Sequence, residues 1–248
     1  MHVWMSMYLD VNIFQKHVFT ICTHTHTTKN QHRMNRLDTV TTGLVCIAKT
    51  KHGATIFWEE IRRERVGKTY KALVTGPVSL GVLDYYMPGR IIHRRPAPRA
   101  ISKQPLEGWK LCQTRVLSCV PVTLPAALAR EEDESGEGKE QQEGEEKQTF
   151  YEVEAELITG RTHQLRATFA AEGAPIVHDT MYIPLKSFLL NDEDHPAIQE
   201  IYPRCAEPQA TSGIGLQCSS LSFLGVTVTA GKPWWRTEES KEEEGQGK

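Results

Sequence analysis

The sequence lacks the features that mark a membrane protein, a secreted protein or a nucleotide-dependent enzyme. No apolar run in its 248 residues approaches the roughly 18 residues that a membrane-spanning helix needs. The best candidate, residues 3–9, ends at Asp10. The amino terminus has no basic stretch followed by an apolar stretch and a cleavage site, so we expect no secretory signal. Glycine-rich phosphate loops, the nucleophile elbow of hydrolases and the HExxH zinc helix are also missing.

Cysteine provides no structural framework. The six cysteines include no CxxC pair, and their spacing fits neither a zinc site nor a small disulfide-stabilised domain. We therefore expect a reducing, intracellular compartment, which leaves cytoplasm, nucleus and organelle open, and we predict no metal site.

The net charge of −2 hides an uneven distribution. Residues 131–147 hold nine acids and two lysines, and the last eleven residues hold five acids and two lysines. We interpret 131–147 as a disordered insertion and 237–248 as a disordered tail. Without these appendages the chain carries a charge of about +8, which suits a polyanionic partner such as nucleic acid. An ordinary globular surface could carry the same charge.

The first 31 residues differ from the rest of the chain. They show no clear hydrophobic period and contain an alternation of threonine and histidine, so we interpret 1–31 as a disordered leader. A histidine-rich metal-binding module over 17–32 is a weaker alternative, because only His24 and His26 would share one face of a strand. The folded domain is then predicted over 32–236.

Hydrophobic periodicity predicts a mixture of strands and helices within that domain. Ala54, Phe57, Trp58 and Ile61 form one apolar helical stripe. The strands are predicted at 44–48, 69–75, 111–122, 150–158, 215–224 and 225–229, and the helices at 53–65 and 162–172. Residues 84–108 are rich in proline and glycine and are predicted as a long loop. Four arginines in it could line a phosphate path: Arg90, Arg94, Arg95 and Arg99.

Three segments place residues with reactive or charged side chains on a predicted strand or at a predicted turn. They read NRLDTVTTGL at 35–44, KTYKALVTG at 68–76 and LITGRTHQLR at 157–166. Taken singly, each has an ordinary interpretation. Asp38 could stabilise a turn, Tyr70 could belong to the core, and Arg161 could form a surface salt bridge.

In this order, the three segments resemble the RluA-like family of RNA pseudouridine synthases. The family motifs HRLDxxTSGLLxxAKT, KxYxAxVxG and LxTGRTHQIRxHLxxxGxPIxGDxxY match residues 35–50, 68–76 and 157–182. The resemblance covers roughly 35–230. It implies an α+β fold with a mixed, mostly antiparallel bisected sheet and flanking helices. It also implies isomerisation of uridine in RNA, either rRNA or tRNA, by a monomer that needs no cofactor.

The resemblance further implies residue roles. Asp38 would supply the reactive carboxylate, either as a nucleophile or as a base that removes the C2′ proton. Arg161 would pair with Asp38, and Tyr70 would stack on the uracil. Arg36 would fill the stack that the flipped base vacates or clamp a phosphate. The predicted substrate-binding residues are Arg36, His163, Gln164, Arg166 and Leu216.

This chain departs from the family pattern at three places. Asn35 stands where the family usually has histidine, and His178 stands where glycine is common. The upstream strands and the Lys-Pro segment of the family are not recognisable in 1–34, so we expect a domain truncated at its amino terminus. A catalytically impaired RNA-binding protein on the same scaffold is therefore the alternative function.

Overall fold

The computed structural model describes residues 9–13, 17–22, 32–89, 98–124, 149–186 and 213–236. The predicted insertion at 131–147 and the predicted tail at 237–248 lie outside the described residues. So do His24, His26 and three arginines of the predicted phosphate path, namely Arg90, Arg94 and Arg95. The domain boundaries at 32 and 236 stay predictions.

The described residues form strands, two α-helices and a short 3-10 helix at Ile183–Leu185 in an irregular order. The strands are β1 (Leu9–Ile13), β2 (His17–Cys22), β3 (His32–Arg33), β4 (Thr42–Gly43), β5 (Val45–Ala48), β6 (Gly67–Val74), β7 (Gly81–Pro88), β8 (Trp109–Val122), β9 (Phe150–Leu157), β10 (Leu216–Phe223) and β11 (Val226–Thr229). The helices are α1 (Lys51–Arg62) and α2 (Gln164–Ala171). Neither helix is long and apolar enough to cross a membrane.

The larger sheet has the strand order β11-β10-β6-β9-β8-β7, and β4 adds to β10. Its neighbours are antiparallel, except that β4 runs parallel to β10. A second sheet has the order β1-β2-β5-β3. This is the mixed, mostly antiparallel α+β architecture that the family resemblance implies.

The second sheet contains two strands from the segment 1–31, which the sequence predicted as a disordered leader. β1 pairs antiparallel with β2, and β2 pairs antiparallel with β5 from Phe19 opposite Ala48 to Cys22 opposite Val45. The prediction of disorder over 1–31 is therefore wrong for Leu9–Ile13 and His17–Cys22. The backbone pairing of β2 with β5 supplies an order that the local sequence does not indicate.

Helix α1 begins two residues earlier than predicted. Thr50 caps it, since the Thr50 Oγ1 accepts a hydrogen bond from the Gly53 N–H at 3.0 Å. Phe57 is fully buried against Phe223 of β10. Trp58, predicted on the same stripe, is instead 47% exposed.

Strand β7 replaces the first part of the predicted loop at 84–108. Tyr85 and Met87 alternate inward and are buried, and the strand pairs with β8 from Gly81 to Pro88. Residues 98–102 return along its outer edge, where Ser102 and Tyr86 exchange two backbone hydrogen bonds of 2.8 and 3.0 Å. Arg99 is thereby buried rather than placed in a solvated loop.

The larger sheet buries apolar residues on both faces. On one face, Tyr70, Ala72 and Leu216 pack with residues of β5 and α1 in the largest core cluster. On the other face, Leu73 packs with Phe150 and Trp235. Because side chains alternate along β6, the two faces carry different side chains, and the candidate site lies on the face of Tyr70.

Candidate active site

The turn that carries Asp38 is held to β5 by Asn35. The Asn35 Nδ2 donates to the Leu44 carbonyl at 3.1 Å, and its Oδ1 accepts from the Cys46 N–H at 2.7 Å. The Thr41 N–H donates to the Asp38 carbonyl at 2.9 Å and closes the turn. Asn35 therefore acts as part of the scaffold, and the Asp38 side chain is left 25% exposed.

Arg166 is the cation nearest to Asp38. Its Nη1 lies 3.6 Å from the Asp38 Oδ2. Its Nε and Nη2 donate to the two carboxylate oxygens of Asp179 at 2.7 and 2.8 Å. Both Arg166 and Asp179 are buried, and Asp179 has no exposed surface. This bidentate geometry fixes the guanidinium plane, so Arg166 reaches Asp38 as a rigid donor.

Arg161 does not make the pairing that we predicted for it. Within the described residues it forms no ion pair with Asp38, and its guanidinium lies beside the Cys112 thiol instead. The Arg161 backbone N–H donates to the Gln164 Oε1 at 3.0 Å. The motif contains two arginines five residues apart, and the structure brings the second one, Arg166, to the carboxylate.

Burial raises the pKa of Asp38 above its ordinary value of 3.8, and the charge and hydrogen bonding of Arg166 oppose that rise. Burial alone would lower the pKa of Arg166, but the hydrogen bonds and charge of Asp179 outweigh it and raise the pKa. Arg166 therefore stays charged, while Asp38 is a carboxylate whose charge is incompletely stabilised. A carboxylate in that condition is more basic than one in water.

His163 lies on the other side of Asp38 in a left-handed backbone conformation with φ of 58°. Its Nε2 is 3.9 Å from the Asp38 Oδ1, and its Nδ1 is 3.1 Å from the Tyr182 hydroxyl. That hydroxyl accepts a hydrogen bond from the Arg99 N–H at 2.7 Å. The Tyr182 proton is then available to the Nδ1, which leaves the Nε2–H directed at Asp38.

The His163 ring is neutral, which agrees with this arrangement. Burial, followed by the charges of Arg166 and Arg99, lowers the pKa of His163 to about 3. The 3.9 Å approach to Asp38 is therefore not an ion pair. It is a space that a bound group could enter, with a neutral N–H donor on one side and a carboxylate on the other.

Tyr70 lies on β6 opposite Cys218 and is buried. Burial, the Cys218 thiol and the nearby Asp38 carboxylate raise the pKa of Tyr70 well above 10, so the phenol stays protonated. Leu216 sits two residues from Cys218 and opposite Ala72, on the same face as Tyr70. The structure thus brings Asp38, Tyr70 and Leu216 to one face.

Two further predicted residues differ in their surroundings. Arg36 is exposed two residues before Asp38, where it can reach a bound chain. Gln164 is buried, and its side chain bonds the Thr159 hydroxyl, the Arg161 N–H, the Gln113 carbonyl and the Thr114 hydroxyl. These contacts hold the turn before α2, so the structure favours a scaffold role for Gln164 over the predicted substrate contact.

Sequence reasoning missed Asp179 and Tyr182 as site residues. Both occupy the acidic and aromatic positions at the end of the longest family motif, GAPIVHDTMY, and that pattern was the available signal. Their importance comes from contacts across 13 and 19 residues of sequence, which no local period reveals.

The opposite face of the larger sheet carries a shallow groove of about 480 Å³. Its lining includes Lys71, Gln217 and Arg236, and it contains none of the site residues above. Among the described residues, no three His, Cys, Asp or Glu side chains are grouped as metal ligands.

Comparison with known proteins gives a consistent result. The family model described as RNA pseudouridylate synthase matches residues 14–171. The chain is 34% identical over 225 residues to the chloroplastic RNA pseudouridine synthase 6 of Oryza sativa subsp. japonica, covering 82% of this chain and 45% of the rice protein. It is 33% identical over 226 residues to the Arabidopsis thaliana protein of the same name, covering 82% and 46%.

The chain thus spans about half the length of the curated relatives it matches. Among solved structures, the human RNA Pseudouridylate Synthase Domain Containing 1 superposes with a TM-score of 0.59 at 19% identity, covering 92% of this chain and 84% of that one. This likeness confirms the fold.

Proposed function

This chain belongs to the RNA pseudouridylate synthase family, and we propose that it isomerises uridines in RNA to pseudouridine with Asp38 as the reactive carboxylate. The observation that carries the proposal is the incomplete pairing of Asp38. Arg166 approaches it at 3.6 Å, whereas Arg166 gives its two short hydrogen bonds to Asp179. Arg166 thereby orients the Asp38 carboxylate while its short hydrogen bonds go to Asp179.

The reaction rearranges one nucleoside and conserves its atoms. The bond between uracil N1 and C1′ breaks, the base turns, and C5 bonds to C1′. The proton on C5 leaves, and N1 gains one. Asp38 either attacks the substrate covalently or removes the C2′ proton, and both steps need the ionised carboxylate. The charge of Arg166 favours that ionised form against the burial that opposes it.

The neighbouring residues suit a base that has left its stack. A uracil within a stem must flip out before its N1 and C1′ can be reached. Tyr70 offers a neutral aromatic ring, Leu216 lies on the same face, and the Arg36 guanidinium is exposed next to the turn. A guanidinium can stack in the vacated place or bind the adjacent phosphate.

The alternative of an impaired RNA-binding protein is not favoured. The matches to pseudouridine synthases extend over 82% of the chain, and the carboxylate, tyrosine and arginine implied by the family motifs are all present in the described residues. Whether the RNA is rRNA or tRNA stays a prediction from the resemblance.

Tritium release tests the proposed function directly, because isomerisation detaches the hydrogen on C5. We expect the chain to release tritium from at least one of two substrates, rRNA and tRNA transcripts labelled with 5-tritiated uridine. The control is the same RNA with heat-denatured protein. A folded chain that binds these RNAs with no release would contradict the enzyme and support the RNA-binding alternative.

A further inference from the structure

Lys68 shares a strand face with Tyr70 and forms no ion pair with any carboxylate of the described residues. It lies on β6 two residues before Tyr70, so the two side chains point to the same side of the sheet. Its side chain is partly buried. Within the described residues, no carboxylate lies within ion-pair distance of the Lys68 Nζ, although other buried charges in this part of the chain, such as Arg166 and Glu152, are paired.

The Lys68 ammonium borders the turn that precedes α2. A Cβ at residue 160 would lie 4.0 Å from the Lys68 Nζ, and within the part of the chain that the structure describes no other atom outside the turn comes as near. Gly160 is exposed, so the space in front of the ammonium opens to solvent. The absence of a side chain at residue 160 lets another molecule approach both the backbone and the charge.

An unpaired ammonium in this position is unfavourable for the free protein. Burial lowers the pKa of Lys68, which reflects the loss of water around a charge that no carboxylate replaces. Surface lysines ordinarily avoid this cost by extending into water. An anion that enters from solvent would remove it.

Resting on the proposed function, we propose that Lys68 and Gly160 form a subsite for one phosphate of the RNA chain beside the flipped nucleotide. A lysine binds phosphate as a point charge, and the subsite lies on the same sheet face as Tyr70 and Asp38. Lys68 is the first residue of the KxYxAxVxG motif, and the subsite gives this lysine a substrate-binding role that was not predicted for it from the sequence.

The salt dependence of RNA binding tests the subsite. The probe is a 15-nucleotide oligouridylate, and the variants are Lys68→Met, Lys68→Arg and Lys71→Met in the full chain. Lys71 is the matched control, because it lies on the same strand with the opposite orientation and faces Glu152 at 3.6 Å. A variant that binds one phosphate fewer of a single strand should show a slope of log K against log salt that is shallower by about 0.7.

We expect that reduction in Lys68→Met, restoration in Lys68→Arg and a wild-type slope in Lys71→Met. The melting temperature of Lys68→Met without RNA should equal or exceed that of the wild type, since methionine retains the apolar stem and removes an unpaired charge. Equal slopes for Lys68→Met and Lys71→Met, or a lower melting temperature for Lys68→Met, would overturn the subsite.

Tritium release by the wild type separates this result from the proposed function. Release by the wild type together with an unchanged slope in Lys68→Met would refute the subsite and leave the enzyme intact. A changed slope with no release from any labelled RNA would support the subsite and refute the enzyme.

Discussion

Two carboxylates on opposite faces of the larger sheet are held by arginines in different ways. Glu152 of β9 accepts hydrogen bonds from the Trp235 Nε1 at 2.8 Å and from the Arg236 Nε and Nη2 at 3.0 and 3.1 Å, and the Lys71 Nζ lies 3.6 Å away. Among the described residues, the charged group that comes nearest to the Asp38 carboxylate is the Arg166 guanidinium at 3.6 Å, and Asp179 takes the two short bonds of that guanidinium.

The pKa shifts of the two carboxyls have opposite signs. Burial alone would raise the pKa of Glu152, but the bonds from Arg236 and Trp235 and the charges of Arg236 and Lys71 lower it below 4.5. For Asp38, burial prevails over Arg166, and the pKa is raised. A carboxylate whose oxygens all accept short bonds from charged or polar donors serves a structural role. A carboxylate with fewer such bonds remains able to accept a proton or attack a substrate.

Neutralising each carboxylate should separate these roles most sharply. Asp38→Asn should reduce tritium release to background with little change in melting temperature, because the amide cannot act as a base or nucleophile. Glu152→Gln should retain activity at low temperature while lowering the free energy of unfolding by about 2 kcal/mol, since it weakens bonds to charged donors. The measurements are single-turnover tritium release and urea unfolding of both variants.

Loss of activity in Glu152→Gln at a temperature where it is folded would contradict the structural role of Glu152. Wild-type turnover in Asp38→Asn would contradict the difference between the two carboxylates. Wild-type turnover in Asp38→Asn would also remove the reactive role proposed for this residue.

The next largest effect is expected from replacing the two arginines of the motif, which should differ in their losses of stability and activity. Arg166→Met leaves the fully buried Asp179 without its partner, which should cost about 3–5 kcal/mol of stability and also remove activity. Arg161→Met removes no contact to Asp38 and should be milder in both respects. Arg166→Lys serves as the second variant, because it restores charge without the bidentate geometry and should recover stability more than turnover.

Unfolding curves and tritium release for the three variants test this ranking. A larger loss in Arg161→Met than in Arg166→Met would return the pairing role to Arg161, as the family resemblance implies.

The arginine assignment shows what the sequence could and could not predict. Hydrophobic periodicity predicted β6, β9 and α2 within two residues of their observed bounds. The choice between Arg161 and Arg166 depends on the left-handed backbone at His163 and on Asp179. The contact between Arg166 and Asp179 spans 13 residues of sequence, so no local pattern distinguishes the two arginines.

The missed strands have a different cause. In β7, inward Tyr85 and Met87 are followed directly by proline and glycine, which are typical of loops. The isolated bridge between Tyr86 and Ser102 at its edge supplies order that the local sequence lacks. β2 similarly depends on pairing with β5 rather than on a strong pattern of its own.

Acid should affect the two carboxylates differently. Glu152 has a lowered pKa in the folded state, so its contribution to stability is fully present above about pH 4.5 and is lost as the pH falls through that lowered pKa. The stability gap between wild type and Glu152→Gln should therefore shrink below pH 4.5. The raised pKa of Asp38 should place the acid limb of turnover above pH 3.8.

Thermal melts of both proteins from about pH 7 to about pH 3, with turnover measured over the range where they stay folded, test this prediction. A gap that widens in acid would contradict the structural role assigned to Glu152. His163 should not add a second limb near neutrality, since its pKa is lowered to about 3.

The smallest expected effect concerns the stacked pair that joins the two regions. His178 precedes Asp179 and adopts φ of 63°, and its ring stacks on Trp234 at 5.3 Å between centroids. Trp234 in turn precedes Trp235, which binds Glu152. His178→Gly removes a stack worth about 0.5–1.5 kcal/mol but relieves a left-handed backbone that costs a non-glycine residue about 1–2 kcal/mol.

These two changes oppose each other, so the stability of His178→Gly should stay within about 1 kcal/mol of the wild type. Combining His178→Gly with Glu152→Gln gives a double-mutant cycle for the link between the faces. We expect the two stability changes to add within about 0.5 kcal/mol and turnover to follow the single variants, because Asp179 remains held by Arg166. A larger coupling would mean that the structural carboxylate helps to position the site, and the two regions would then have to be treated as one.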